Sequence, residues 1–403
     1  MDKIKDEIER YLMELCVFGH TPQDGVTRLP FTKEARAAAE YLAGKMQELG
    51  LAVHVDASGA VIGRLEGAGP DTIIIGSHYD TVENGGKYDG IAGVVCGLSL
   101  IRMIKEEYGN SFPYSIEVMA TNDEEGARFS GGFFSSKAML GLWTMEELRK
   151  NKDANGISIY DAMKAFGMEP EKLPEAKRDL SEIRAFLEIH IEQGPVLEKS
   201  NKEIGIVRAI VGMRRKIVKI YGRADHAGTT PMDMRDDAME KAARIIAGVG
   251  DAARNYLNSV ATVGCIKAVP NAINTIASYV EFSLDIRSAD QDNLNALERD
   301  IQSLITQSAS HYEIQETVHI DPVEMDQKLA ELLAKTAEDC GYSWMKLDSG
   351  AGHDSLITGP AMATAMVFVP SKGGRSHCPQ EYTDTEYLKK AVKLVYQAVK
   401  QLS

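Results

Sequence analysis

The sequence has few cysteines, no long apolar run and a deficit of basic residues. Its five cysteines are widely spaced and form no Cys-x-x-Cys motif, so we expect neither a disulfide framework nor a zinc ribbon. No apolar run approaches the ~18 residues that a membrane span needs. Lysine and arginine total 45 against 59 aspartates and glutamates, a net charge of −14. This charge has the wrong sign for binding nucleic acid or an anionic membrane surface.

The remaining composition is that of an ordinary globular protein. With 403 residues, 44% of them hydrophobic, the chain can bury a large core and is long enough for two or more domains. The segment from Met1 to Glu7 lacks the apolar core of a secretory signal, so we expect a cytoplasmic location. No internal repeat or low-complexity tract interrupts the chain.

A stretch centred on His78 combines an imidazole with two carboxylates. It follows a β-branched run, Thr72 to Ile75, and precedes an apolar helical run that starts at Ile91. His78, Asp80 and Asp89 are therefore expected at the C-terminal end of an interior strand, where open α/β sheets place their ligands. A His-x-Asp pair in a loop is often only structural, but the same residues could bind a divalent metal.

Other strands bring further metal-binding residue types to the same predicted edge. The run from Asp123 to Glu125 follows a buried strand, and His190 lies at the end of another. A charge run is usually a solvated face, and a strand-end histidine is usually satisfied by a core hydrogen bond. His377 lies in the loop between the last predicted strand and helix, from which it could also reach this edge.

The pattern predicts two domains. Residues 1–211 and 322–403 are expected to form an α/β domain with a mostly parallel sheet flanked by helices. Residues 212–321 follow a β-α-β-β-α-β order, typical of a ferredoxin-like α+β domain, with 260–269 read as one strand. Residues 25–29 are interpreted as a connecting loop.

The order of these residues resembles the M20 family of metal-dependent exopeptidases and amidohydrolases over essentially the whole chain. Several segments are similar to its hydantoinase/carbamoylase branch, which holds N-carbamoyl-L-amino acid hydrolases, β-ureidopropionases and allantoate amidohydrolases. These segments are His190-Ile191-Glu192-Gln193-Gly194-Pro195, Asp225-His226-Ala227-Gly228-Thr229-Thr230-Pro231-Met232, Pro270-Asn271, Asp285-Ile286-Arg287-Ser288 and Ser349-Gly350-Ala351-Gly352-His353-Asp354.

The resemblance implies a binuclear metal site, a base and a set of substrate contacts. One metal would be held by His78, Asp89 and His190, and the other by Asp89, Glu125 and His377. The catalytic residues would be the general base Glu124, Asp80 orienting His78, and His226, which resembles a histidine that family members supply across a dimer. The substrate contacts would be Gln193, Asn271, Arg287, Gly352 and His353.

The predicted function is hydrolysis of the ureido C–N bond of N-carbamoyl-L-amino acids or allantoate, with release of ammonia. Two divalent ions, zinc, manganese, cobalt or nickel, would serve as cofactors. The resemblance also implies a homodimer formed through the inserted domain, which would act as a lid. An aminoacylase or dipeptidase cleaving ordinary amides is the alternative enzyme, and a non-catalytic metal- or ligand-binding homologue is a third reading. Tyr79 and Cys378 depart from the family pattern without touching a proposed ligand.

Overall fold

The computed structural model describes residues 3–402. The α-helices are α1 (Lys3–Cys16), α2 (Lys33–Glu48), α3 (Ile91–Tyr108), α4 (Phe134–Met139), α5 (Met145–Lys150), α6 (Ile159–Ala165), α7 (Val196–Lys199), α8 (Ala238–Arg254), α9 (Gln291–Ser308), α10 (Gln327–Asp339), α11 (Asp354–Thr358) and α12 (Thr385–Val399). The strands are β1 (Ala52–Val55), β2 (Val61–Leu65), β3 (Thr72–His78), β4 (Ser115–Thr121), β5 (Ile183–Ile191), β6 (Ile204–Ile210), β7 (Gly212–Tyr221), β8 (Ser259–Thr262), β9 (Ile266–Val269), β10 (Tyr279–Ser288), β11 (Tyr312–Ile320), β12 (Val323–Glu324), β13 (Trp344–Ser349) and β14 (Thr364–Val369).

The larger sheet is mixed rather than mostly parallel. Its nine strands run in the order β1-β2-β4-β3-β5-β14-β6-β12, with β13 paired to β6. The parallel pairings join β4, β3, β5 and β14 at the centre. Strand β1 pairs antiparallel with β2, β2 with β4, and β6 with both β14 and β12. Short connections such as that between β1 and β2 allow only antiparallel pairing, whereas the central strands are linked by crossovers that contain helices.

The central strands are buried along almost their whole length. Every residue of β3 and β4 is buried, because helices cover both faces of a parallel sheet and leave no solvated side. This burial explains the short apolar runs at residues 73–75 and 118–120, which lie just before His78 and Asn122. All four central strands run in the same direction, so their C-terminal ends meet at one edge of the sheet.

The chain divides into two compact units. The first comprises Met1–Arg208, Met325–Leu347 and Ala351–Ser403, and the second comprises Ala209–Glu324 and Asp348–Gly350. Each unit has its own apolar core. The first core packs α1, α3 and α12 with the central strands, and the second packs α8 and α9 against one face of a smaller sheet.

The smaller sheet has the order β11-β7-β10-β8, with β9 also paired to β10, and all its pairings are antiparallel. The predicted single strand over residues 260–269 is two strands, β8 and β9, that pair with different parts of β10. At the break between them, the Ser283 hydroxyl accepts the backbone N–H groups of Gly264 and Cys265 at 3.3 and 3.0 Å. The backbone N–H of Ser283 in turn donates to the carbonyl of Cys265 at 3.0 Å.

Within residues 3–402, no helix combines the length and the apolar composition needed to cross a membrane. The cytoplasmic location stays a prediction.

Candidate metal centre

Four strand ends deliver the candidate ligands to one edge of the larger sheet. His78 is the last residue of β3, and His190 lies in β5 next to its end. Glu125 follows β4, and His377 follows β14. Since β4, β3, β5 and β14 are neighbouring parallel strands, the fold brings together residues that are far apart in the sequence.

The ligands form two groups that share one carboxylate. The first ligand group is His78, Asp89 and His190, the second is Asp89, Glu125 and His377, and the ligand atoms of each lie within 4.8 Å of one another. Oδ1 of Asp89 lies 3.8 Å from Nε2 of His78 and 3.3 Å from Nε2 of His190. Oδ2 of Asp89 lies 3.1 Å from Nε2 of His377, which is 3.4 Å from Oε2 of Glu125. Each Asp89 oxygen therefore faces a different group, as in a bridging carboxylate.

Backbone carbonyl groups set the orientation of the two buried imidazole rings. Nδ1 of His78 is 3.1 Å from the carbonyl oxygen of Asp80, and Nδ1 of His190 is 2.8 Å from that of Ile191. A carbonyl oxygen only accepts, so Nδ1 carries the proton in both rings and Nε2 keeps its lone pair for a metal. Burial lowers the pKa of His190 to about 4, so this ring is neutral at pH 7.

Asp80 contributes to the site in two ways. Its backbone carbonyl orients His78, while its carboxylate lies 3.7 Å from Nδ1 of that ring. The carboxylate instead accepts the backbone N–H groups of Glu124 and Glu125 at 3.0 and 3.2 Å. Asp80 therefore fixes the acidic loop after β4, a role that the sequence alone did not reveal.

The site contains buried polar atoms that suit a cation. Among residues 3–402, Oδ1 of Asp89, Oε1 of Glu124, Oε1 of Glu125 and Nε2 of His190 are buried without a hydrogen-bond partner. Burial of such atoms is costly unless an ion or a polar group satisfies them. These are carboxylate oxygens and an imidazole nitrogen, the donors that zinc, manganese, cobalt and nickel accept. The residues present therefore fit divalent metal ions.

The protonation preferences of the three site carboxyls differ. Burial and the neighbouring carboxylates raise the pKa of Glu124 and of Glu125 well above the ordinary value. Burial also opposes ionisation of Asp89, but the hydrogen bond from His377 and the positive charge that the surrounding imidazoles carry once protonated at low pH outweigh it and lower the pKa of Asp89. Oε2 of Glu124 lies 3.8 Å from Nε2 of His78, beside the first ligand group.

The remaining predicted residues of the first unit lie close to the ligands. The amide nitrogen of Gln193 donates to Oδ2 of Asp89 at 2.9 Å. His353 is 1% exposed, and its ring centroid lies 4.4 Å from that of His190, so it contacts a ligand rather than solvent. Gly352 packs against the ring of Phe133. Their roles toward substrate stay predictions.

The three predicted residues of the second unit each have a defined local setting. Nδ1 of His226 accepts the backbone N–H groups of Gly228 and Thr229 at 3.0 and 3.2 Å, so its proton resides on the exposed Nε2. Asn271 is exposed and adopts a φ of 57°. Their functional roles stay predictions.

Arg287 is paired within the second unit. Its Nε and Nη2 donate to the carboxylate of Asp285 at 2.8 and 3.2 Å, and its Nη1 donates to the carbonyl of Gly350 at 2.7 Å. Arg287 and Asp285 line a cavity of about 560 Å³ on this unit. One N–H of each terminal nitrogen remains for a ligand.

In a third group of potential ligands, the carboxylate is satisfied by hydrogen bonds. Glu188, His190 and His353 also lie within 4.8 Å of one another. The carboxylate of Glu188, however, accepts the hydroxyls of Ser77 and Ser355 at 3.3 and 2.7 Å and the backbone N–H of Ser355 at 3.1 Å. Glu188 therefore joins β3 to the start of α11.

Sequence reasoning missed two residues that support the ligand loops, Arg28 and Glu381. Arg28 is 1% exposed, although it lies in a segment read as a connecting loop. Its guanidinium donates to the carbonyl of Tyr79, between His78 and Asp80. Its partners are backbone carbonyls, and because every residue has one, the sequence does not identify which of them Arg28 contacts.

Comparisons with known proteins agree with this geometry. The profile of peptidase family M20/M25/M40 matches residues 74–401. The chain is 40% identical over 405 residues to an N-carbamoyl-L-amino-acid amidohydrolase of Paenarthrobacter aurescens, covering 98% of both chains. It is 38% identical over 399 residues to the allantoate amidohydrolase of Bacillus subtilis (strain 168), covering 97% of this chain and 96% of the relative.

A solved structure supports the same assignment. The crystal structure of an amidase of the hydantoinase/carbamoylase family from Burkholderia multivorans matches with a TM-score of 0.90 and 31% identity, covering 98% of this chain and 97% of that one. The predicted resemblance and the predicted enzyme class, a metal-dependent amidohydrolase, are confirmed. This chain belongs to peptidase family M20/M25/M40.

Proposed function

We propose that this protein is a two-metal hydrolase that cleaves the ureido C–N bond of N-carbamoyl-L-amino acids or of allantoate. The observation that carries the proposal is the carboxylate of Asp89, whose two oxygens face two separate ligand groups. The amidohydrolases that resemble the chain over nearly its whole length support the substrate class.

Two divalent ions held by the two ligand groups would acidify a water molecule and polarise the ureido carbonyl. Glu124 has the properties of the proton carrier, because it is buried, has a raised pKa and has one oxygen without a hydrogen bond. It would take the proton from the attacking water and deliver it to the leaving nitrogen. The carbamate formed from a carbamoyl substrate would break down to carbon dioxide and ammonia, leaving the free amino acid.

The chain's other residues would bind and orient the substrate. We assign Arg287 to the substrate's carboxylate, since its guanidinium keeps one free N–H on each terminal nitrogen. Gln193 and Asn271 would hydrogen-bond the ureido group, and His226 would present the proton on Nε2 to the developing oxyanion. Gly352 and His353 would complete the substrate site. We further propose that residues 212–321 form a lid through which the protein dimerises.

Ammonia release from N-carbamoyl-L-amino acids and from allantoate tests the proposal. The protein is first treated with chelator and then assayed before and after addition of zinc or manganese. We expect metal-restored activity on one of the two substrate classes, and N-acetyl amino acids serve as the matched amide substrates. Hydrolysis of an N-acetyl amino acid releases acetate and no ammonia, so it is followed by the free amino acid formed; activity on these substrates alone would instead identify an aminoacylase.

A further inference from the structure

Glu381 lies in the loop between β14 and α12, after the ligand His377, and its side chain is buried at 3% exposure. Its Oε1 accepts the backbone N–H groups of Tyr88 and Asp89 at 2.9 and 3.0 Å. Its Oε2 accepts the hydroxyl of Ser376 at 2.6 Å. One carboxylate therefore contacts both of the loops that supply Asp89 and His377.

The close fit of the Asp89 loop over Glu381 supports the importance of this contact. A Cβ placed on Gly86 would lie 1.9 Å from Oε1 and 2.6 Å from Cβ of Glu381. Only glycine allows the backbone to approach the carboxylate so closely. The loop from Gly86 to Asp89 is thus shaped around this side chain.

The contacts also argue against direct metal binding by Glu381. Among the described residues, neither ligand group includes it. Both of its oxygens already accept hydrogen bonds from the ligand loops. The hydroxyl of Ser376 lies in turn 3.4 Å from Oδ2 of Asp89, so the contacts extend to the oxygen that faces the second ligand group.

We propose that Glu381 is a positioning residue that holds Asp89 and His377 at the spacing required for the second ligand group. This inference rests on the proposed binuclear function. It parallels the role of Asp80, which accepts backbone N–H groups in the loop that carries Glu125. Outer partners of this kind commonly change metal affinity by about 10- to 100-fold when they are removed.

The test compares Glu381→Ala with Glu381→Gln in the full-length, chelator-treated protein. The amide oxygen of glutamine can still accept the N–H groups of Tyr88 and Asp89, and its NH₂ can donate to Ser376. Zinc affinity is measured by competition with a chromophoric chelator. The geometry of the ligands is followed by the visible absorption spectrum of the cobalt-substituted protein, which depends on that geometry. We expect Glu381→Ala to weaken one of two zinc sites by at least about tenfold and to alter the spectrum. Glu381→Gln should retain both properties.

Glu117→Ala is the matched control, because Glu117 is also a buried carboxylate with strong partners, Arg64 and Arg178, but contacts neither ligand loop. Its loss should lower thermal stability without changing zinc affinity. Ser376→Ala removes the Oε2 contact together with the contacts of the Ser376 hydroxyl to Asp89 and Gln193. It replaces Glu381→Ala if that variant does not fold, and should also weaken one site.

Wild-type zinc affinity in Glu381→Ala, or equal losses in Glu381→Ala and Glu381→Gln, would overturn the positioning role. The zinc-affinity and cobalt-spectrum measurements need no substrate. A wild-type protein that binds two zinc ions but releases no ammonia would reject the proposed function and leave the positioning role standing.

Discussion

The acidic residues of the site differ in what they do, although they look alike in the sequence. The hydrogen bond from His377 and the surrounding imidazoles favour the ionised form of Asp89, whereas burial and neighbouring carboxylates favour the protonated forms of Glu124 and Glu125. Glu125, as a candidate ligand, would release its proton when a cation binds. A bridging ligand must be ionised, and a proton carrier must be able to hold a proton near neutral pH. The environment thus separates the proposed roles of Asp89 and Glu124.

Replacing Glu124 with glutamine should reduce turnover by about 10²- to 10⁴-fold, the usual contribution of a general acid–base group. The change preserves shape and removes only the ability to carry a proton, so metal content should stay at the wild-type level. Ammonia release and metal analysis of the same sample provide the measurement. Asp123→Asn makes the same chemical change in the same loop and should have a small effect, because Asp123 belongs to neither ligand group. Full activity in Glu124→Gln would disprove the assigned role of Glu124 as the general base.

Arg28 shows how a buried charge can support a site without entering it. Its guanidinium donates to the carbonyl of Leu15 and of Phe18, each at 3.0 Å, and to that of Tyr79. Burial lowers its pKa to about 10, so it remains a cation at pH 7. It therefore ties the end of α1 to the turn between His78 and Asp80.

We expect Arg28→Met to destabilise the protein by about 3 kcal/mol, because it leaves buried carbonyl groups unpaired at a cost of about 1–3 kcal/mol each. Thermal unfolding of the metal-free protein measures this loss of stability. Arg36→Met is the control, since Arg36 is exposed and donates to a single carbonyl, that of Phe166. Equal melting temperatures for the two variants would contradict the assigned role of Arg28.

At the scale of elements, the site depends on a turn that only glycine permits. Gly90, at the start of α3, has a φ of 66°, and a Cβ there would lie 2.3 Å from Cε1 of His78. The turn that carries Asp89 therefore packs directly on the His78 ring. Any side chain at position 90 would have to displace that ring.

Gly90→Ala should weaken metal binding by about tenfold or more, as expected when the support of a ligand is disturbed. Gly341→Ala is a close control, since Gly341 has a φ of 70° and, in the described part of the chain, nothing lies within 4 Å of its Cβ position. Gly341→Ala should lose about 1–2 kcal/mol through its positive φ. Gly90→Ala should lose more, because a ψ of −57° places Gly90 outside the left-handed helical region. Zinc competition separates the effects, and equal affinities in the two variants would show that the ring tolerates the displacement.

The elements also show what could be predicted from the sequence. The strands that end near His78, Glu124 and His190 were predictable, because buried parallel strands are read directly from apolar runs and place their C-terminal residues at one edge. The contacts of Glu381 and Arg28 were not predictable. They bond to backbone groups, which every residue carries, and only the tertiary fold determines which of these groups come close.

At the scale of the whole molecule, each compact unit has its own core, and all the candidate metal ligands belong to the first. A ligand that binds only the folded state stabilises the unit that holds it. Metal binding should therefore raise the stability of the first unit more than that of the second.

Calorimetry of the metal-free protein should resolve two unfolding transitions, and zinc should raise the temperature of one. At a free zinc concentration about 100-fold above the dissociation constant, the free energy of unfolding of the first unit should rise by about 2.7 kcal/mol. Its melting temperature should rise by an amount on the order of 5 °C. The transition of the second unit should stay unchanged, because none of the candidate ligands lies there. His78→Ala removes a ligand of the first group and should reduce the shift. A single transition that moves as a whole on zinc addition would show instead that the two units unfold together and that metal binding stabilises the entire chain.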